Sequence, residues 1–346
     1  MRPSTVFSFL SVVLLFGCAA GAQSTVSNNA LPIKLYDGYL IVVRGSIGNL
    51  TKRNLAIDTG AYPSVVDRGI ARKLHARGEN EKLHVIEHNI STQTIVLPEI
   101  QVGPIRATRL RVISQDLTEL SGRFGVRIDA LIGLDVLAAS SFRIDYGAKS
   151  IAFGPVAALP YSAPLRWNNA HACVELSVDG QPTHLLVDTG ASKLLLFSAR
   201  LPWLTAYRGG RRTFNNLGGS FDLREVSGTR LELAGANVGP GDIYISDARN
   251  MGGFDFDGFL AAGALPFRQV AFDFENQALA WEPARAKADV MRATRGGGTI
   301  LRTLSASTNP SAFAPGIPGM AQSCSPDPAA ATSGRCQYPL LPRMTK

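Results

Sequence analysis

Cysteine is scarce, with four in 346 residues. Cys18 lies in the amino-terminal apolar stretch, Cys173 stands alone in the middle, and Cys324 and Cys336 flank SPDPAAATSGR near the end. A body without a cysteine pair is not a disulfide-stapled scaffold, and no Cys/His spacing suits zinc. Cys173 therefore reads as a buried apolar residue, and Cys324 with Cys336 as a pair able to close a small loop in an oxidising compartment. Long apolar runs are also lacking, and none approaches the ~20 residues that a membrane-spanning helix needs. The run VFSFLSVVLLF is too short to span. Preceded by Arg2 and followed by Ala20-Gly21-Ala22, it reads as a signal peptide over residues 1–22 and predicts export to a periplasm or the medium. Leu15-Phe16-Gly17-Cys18 resembles a lipoprotein cleavage site, so a lipid anchor at Cys18 is the alternative and the sole membrane attachment expected.

A concentrated basic face is missing as well, despite a net charge of +8. Residues 284–346, rich in Ala, Pro, Ser, Thr and Gly, hold eight Lys/Arg against two Asp, so most of the excess sits in a tail with no apolar periodicity. The remainder is close to neutral. Nucleic-acid binding, which needs a basic surface on a folded domain, is excluded on that ground, and a solvated tail is expected.

Helical periodicity is brief, confined to SVVDRGIARKLH and DVLAAS. What fills residues 30–283 instead is a series of short β-branched runs parted by Gly, Pro and Asn turns, such as YLIVVRGSIGN, TIVLPEIQVG and ACVELSVDGQ. That pattern predicts an all-β body built of hairpins. Within it one tripeptide recurs: LAIDTGAYPSVV over residues 55–66 and LLVDTGASKLLL over residues 185–196. Asp-Thr-Gly arises by chance at roughly one position in several thousand, and here two copies share their flanks. Asp58 and Asp188 lie 130 residues apart, and DALIGLDVLAASSFRIDYGAKSIAFG after the first is echoed by DGFLAAGALPFRQVAFDFENQALAWEP after the second. The chain thus reads as two similar lobes, residues 30–157 and 158–283, each too small to hide its apolar faces alone.

An apolar strand ending in Asp-Thr-Gly, followed some seventy residues later by two apolar residues and Gly, resembles the aspartic peptidases of the pepsin and retropepsin type. The resemblance implies two β-barrel-like lobes packed about a central cleft, with Asp58 and Asp188 facing each other as the catalytic pair of a single-chain, monomeric endopeptidase acting on peptide or protein. It implies no metal and no organic cofactor. Thr59 and Thr189 would then lock the two loops across the lobe interface, and Gly60 and Gly190 would let the backbones approach where a Cβ would crowd the pair. Ala61 and Ala191 stand where pepsins carry Ser or Thr, which is closer to retropepsins. Without hydroxyls there to favour the charged form, the pair should hold its proton to higher pH.

Three departures accompany the resemblance. Leu131-Ile132-Gly133 is clean in the first lobe, whereas in the second the glycine position falls on Ala261 by alignment of Asp257 and Asp273, or on Gly263 by counting from the aspartate. Between Asp58 and Asp129 the one tyrosine is Tyr62, so the flap tyrosine of pepsins is missing; the expected flaps are a hairpin around His88 to Thr94 and the turn Asn216 to Ser220. Third, the lobes contain no cysteine pair, which favours a bacterial retropepsin-like variant. His84 and His88 read as strand or flap residues rather than metal ligands, Asn49-Leu50-Thr51 and Asn89-Ile90-Ser91 matter only in a eukaryotic secretory route, and Asp129 and Asp257 read as turn or hydrogen-bonding residues. The rival reading is a non-catalytic peptide-binding or envelope-associated protein of the same fold.

Overall fold

A computed structural model describes residues 30–85, 88–216, 219–248 and 255–284. The signal-peptide, Cys18-anchor and tail readings, and the Cys324–Cys336 loop, lie outside the described residues.

Each lobe is one eight-stranded, curled sheet, and the strand order of the first is repeated in the second. In the first lobe Leu40–Ile47 and Leu50–Ile57 form a hairpin, and Leu50–Ile57 then runs parallel to Ala130–Ile132. In the second, His171–Val178 and Gln181–Asp188 form the matching hairpin, and Gln181–Asp188 runs parallel to Gly258–Ala261. Closure into a barrel comes from the far ends of the first hairpin strands: Ile47 pairs with Ile100, and Leu176 with Leu233. The segments are strands because they are half or wholly apolar in period two; Leu194–Phe197, buried at every position, is a central strand covered on both faces.

A third sheet of six strands joins the lobes. Phe142–Asp145 of the first lobe pairs antiparallel with Phe267–Asp273 of the second, in the register Phe142 to Phe272 and Ile144 to Val270. Each is flanked by its own hairpin partner, Ser150–Phe153 and Ala278–Pro283, and the outer strands are Ala30–Pro32 and Tyr161–Pro164. The sheet is therefore symmetric about the Phe142–Phe272 pairing. Phe142 stacks on Phe272 with ring centroids 4.7 Å apart and belongs to an apolar core that runs through both lobes, from Ile41 and Leu97 to Val174 and Trp281. Two smaller apolar clusters sit beside the Asp-Thr-Gly loops, one largely aliphatic around Ala61 and Leu131 with Tyr39 and Phe124, the other aromatic around Ala191, Phe197 and Phe259.

The structure refines several sequence expectations. SVVDRGIARKLH divides into the strand Val65–Asp67 and the helix Arg68–Lys73, whose first amides are capped by the Asp67 carboxylate on Gly69 N at 3.0 Å. The helix Thr118–Phe124 was not anticipated; its N-cap residue Leu117 offers no side-chain cap, Asp116 Oδ1 accepts from Thr118 N at 2.9 Å instead, and Gly125 ends it in the left-handed region at φ 61°. His84 and His88 lie on the two strands of the hairpin formed by Gly78–Val85 and His88–Val102, not on a helix. Val85 pairs with His88, so residues His88 to Thr94 lie along one leg of the hairpin. In the equivalent hairpin of the second lobe, Gly210–Asn216 with Gly219–Leu233, Asn216 pairs with Gly219.

Replacement of Phe142 by Ala removes a fully buried ring from the seam between lobes, and the expected loss is about 3–5 kcal/mol of unfolding free energy in a urea titration.

Candidate functional site

The two Asp-Thr-Gly tripeptides meet at the lobe interface, each where a central strand runs out beside its parallel neighbour. Asp58 and Asp188 are buried, at 1% and 0% exposure. Their loops are tied reciprocally. Thr59 N donates to Thr189 Oγ1 at 3.0 Å and Thr189 N donates to Thr59 Oγ1 at 3.0 Å. Each hydroxyl in turn donates to the carbonyl preceding the opposite aspartate, Thr59 Oγ1 to Val187 O at 2.7 Å and Thr189 Oγ1 to Ile57 O at 3.0 Å. Four buried hydrogen bonds, each worth about 1 kcal/mol net, thus fix one loop against the other.

The glycines determine how close the carboxyls come. A Cβ on Gly60 would lie 2.5 Å from Cγ of Asp188, and one on Gly190 would lie 2.5 Å from Cγ of Asp58. Each aspartate therefore rests against the other loop's glycine, and no side chain fits at either position. Within its own loop Asp58 Oδ1 accepts from Gly60 N at 3.0 Å, while Asp188 Oδ1 accepts from Gly190 N at 2.7 Å and from Ala191 N at 3.0 Å. Burial pushes the Asp188 carboxyl above the ordinary carboxylate range, against the opposing pull of the Gly190 amide, the Asp58 carboxyl and the Ala191 amide.

Around this centre the lobes differ. In the first, Ser64 N donates to Asp135 Oδ2 at 2.9 Å, Ser64 Oγ donates to Asp135 Oδ1 at 2.5 Å, and Gly133 N donates to Ser64 Oγ at 2.8 Å. This latch ties the Asp58 loop to the segment following Ile132, and burial raises the Asp135 carboxyl while its Ser64 bonds hold it down. The sequence reading did not mark Ser64 or Asp135. Their counterparts by the two repeat offsets are Leu194 and Gly263, so the second lobe has no such latch. The sheet register pairs Asp188 with Ala261 and Ile57 with Ile132, which puts Ala261 rather than Gly263 at the position of Gly133. A short 3-10 turn, Ala262–Ala264, stands in place of the helix Leu134–Leu137.

Asp129 and Asp257 lie outside the pair and repeat one pattern. Asp129 accepts from Asn54 N at 2.9 Å and Arg127 Nε at 2.7 Å; Asp257 accepts from His184 N at 2.9 Å and Arg200 Nε at 3.1 Å. Both clamp the hairpin leading into their lobe's aspartate. Cys173 is buried in the aromatic cluster, and burial pushes its thiol up to about 12, which leaves it unreactive. His171 is buried across the lobe interface from Tyr62, with ring centroids 6.3 Å apart, and burial lowers it to about 4.

A two-lobed β fold with one buried Asp-Thr-Gly aspartate contributed by each lobe is the arrangement of the aspartic proteases. Residues 43–136 match the aspartyl protease family. A search of curated proteins finds no match to the chain. The family match contains Asp58, Gly133 and Asp135; Asp188 is tied to it by the internal repeat and by the hydrogen bonds between the loops.

Two pH dependences of stability follow. Asp188, raised in the folded state, contributes stability that is present below its unfolded value and lost as pH rises through the folded one. Asp188→Asn is therefore expected to raise the midpoint of urea unfolding at neutral pH and to leave it nearly unchanged in acid. His171, lowered from 6.5 to about 4, costs stability as pH falls through that interval, because the unfolded chain takes the proton first. His171→Gln should flatten that acid limb.

Proposed function

We propose that this chain is an aspartic endopeptidase in which Asp58 and Asp188 activate one water against a peptide bond. The observation that carries the reading is the pressing of each carboxyl against the opposite Asp-Thr-Gly loop, held there by the reciprocal threonine bonds. Two carboxyls so placed cannot both ionise cheaply and share one proton, the general arrangement of aspartic proteases. The ionised member takes a proton from water as it attacks the scissile carbonyl, and the shared proton passes to the carbonyl oxygen to give a tetrahedral diol. Collapse returns a proton to the departing amine and splits the C–N bond. Because the pair titrates as a unit, neither aspartate is assigned acid or base separately.

The peptide lies across the pair, between the hairpins that end near His88 and Gly219. Ala61 and Ala191 place no hydroxyl beside the carboxyls, and burial raises Asp188, so the shared proton persists to milder acidity than in pepsin-like sites. No metal or organic cofactor enters the scheme. On the sequence of residues 1–22 we place the enzyme outside the cytoplasm, with an anchor at Cys18 as the alternative.

The test is digestion of a diverse peptide mixture by the purified protein from about pH 3 to 8, beside Asp58→Asn and Asp188→Asn. Cleavage peaking in mild acid and falling at least ~10³-fold in either variant is expected for a residue essential to the chemical step. An optimum near pH 2 would contradict the assignment of the dyad's environment. A folded wild type that cuts nothing would replace the peptidase with a peptide-binding protein of the same fold.

A further inference from the structure

We infer that the first lobe carries a binding site for a phosphomonoester, formed by Arg68, Arg72 and Lys73 with Arg127. The site is separate from the dyad and does not depend on the peptidase reading. Val65 pairs with Leu131 and Val66 with Ala130, so the strand Val65–Asp67 leads away from Gly133 and the aspartates. The helix Arg68–Lys73 starts at its far end.

A cavity of about 550 Å³ opens there, lined by these cations together with Asp67 and Asp116. A Cβ built on Gly69 would lie 3.8 Å from Nη2 of Arg127 and 3.9 Å from Nη2 of Arg72, so both guanidinium groups reach one point above a residue with no side chain. Arg127 is held in that position. Its Nε donates to Asp129 Oδ1 at 2.7 Å and its Nη2 to Asp67 Oδ1 at 3.3 Å. Both acids of the cavity are already engaged by the backbone: Asp67 accepts from the Gly69 and Leu117 amides at 3.0 and 3.3 Å, and Asp116 from the Thr118 amide at 2.9 Å. Arg68, Arg72 and Lys73 form no ion pair among the described residues. Arg68 and Arg72 nonetheless lie close enough to Asp116 to add to the Thr118 bonds that hold its carboxyl below the usual range. Four cations against two carboxylates leave a surplus of two charges, which matches a phosphoryl dianion. The cavity is larger than one phosphate fills and falls within the range of small-molecule sites, so the ligand carries an organic part beyond its phosphoryl group.

The frame of the fold does not require this cluster. By the repeat offsets the second lobe has Ser198, Pro202, Trp203 and Asp255 where the first has Arg68, Arg72, Lys73 and Arg127. The lobes share a strand order yet differ in sign: residues 30–157 hold 16 Lys/Arg against 12 Asp/Glu, and residues 158–283 hold 10 against 13. The near neutrality of the whole body conceals that contrast. Arg68 and Arg72, four apart on a six-residue helix with no acid in its first turn, repel each other, and an anion bound between them removes that repulsion. Arginine forks also suit phosphoryl oxygens in shape, since each offers two parallel N–H donors. Four side chains around one cavity make a site for a single phosphoryl group, not the extended basic face of nucleic-acid recognition.

The test is calorimetric titration of the full chain with glycerol phosphate and, separately, co-sedimentation with phosphatidylcholine vesicles made with and without phosphatidic acid. A variant carrying Arg68→Gln and Arg72→Gln is compared with the wild type and with a control carrying Arg166→Gln and Arg208→Gln, which loses the same charge from the second lobe. All four arginines are exposed, so both variants keep the fold. Glycerol phosphate binding that weakens at least ~10-fold in the first-lobe variant and is kept in the control supports the site with a soluble ligand. The same pattern with phosphatidic acid vesicles, and no binding of glycerol phosphate, supports the site with a lipid headgroup as ligand. Failure of the wild type to bind either probe, or binding that the first-lobe substitutions leave unchanged, would overturn the inference. Equal weakening in both variants would overturn it too, since net charge rather than the cavity would then hold the anion.

Discussion

Two carboxyls buried side by side repel, and everything near them in this fold holds them there. Bringing Asp58 and Asp188 together costs several kcal/mol in desolvation and repulsion unless one keeps a proton. The reciprocal Thr59–Thr189 bonds oppose that repulsion directly, since neither loop can retreat without breaking all four of them. The joint sheet acts at longer range. Phe142 stacked on Phe272 fixes the two lobes in register, and the apolar core passes through the seam, so the distance between the aspartates is set by a packed interior.

Duplication explains the symmetry of the frame, and the departures from it bear on the chemistry. Both lobes keep the strand order and the Asp129 or Asp257 clamp. Around the aspartates, however, Ser64 and Asp135 correspond to Leu194 and Gly263 in the repeat, and Gly263 lies against Cβ of Tyr39 from the first lobe. The unequal surroundings give the two carboxyls different environments although their loops repeat. In the peptidase we propose, that asymmetry would suit a step in which one group accepts a proton while its partner donates one.

The aspartates were legible in the sequence because the motif is local: a strand end, an acid, a hydroxyl and a glycine, repeated with its flanks. The all-β body was legible for the same reason, from period-two runs and turn residues. What was not legible depends on contacts between distant segments. Tyr39 looks like any strand-initiating aromatic until the lobes pack and deliver it to Gly263. The choice between Ala261 and Gly263 needed the parallel register with Gln181–Asp188, which no spacing supplies. The helix Thr118–Phe124 escaped because it is two turns long and has the apolar Leu117 at its N-cap, the Asp116 carboxylate one residue earlier taking the first amide.

The most direct test of a shared proton is calorimetric proton counting while the protein binds a peptide isostere bearing a tetrahedral hydroxyl. Heats are compared in buffers of different ionisation enthalpy, at a pH just above the dyad's upper limb. The account predicts uptake of about one proton by the wild type and none by Asp58→Asn or Asp188→Asn, since binding restores the singly protonated pair. Binding without uptake in the wild type, or equal uptake in the variants, would contradict it.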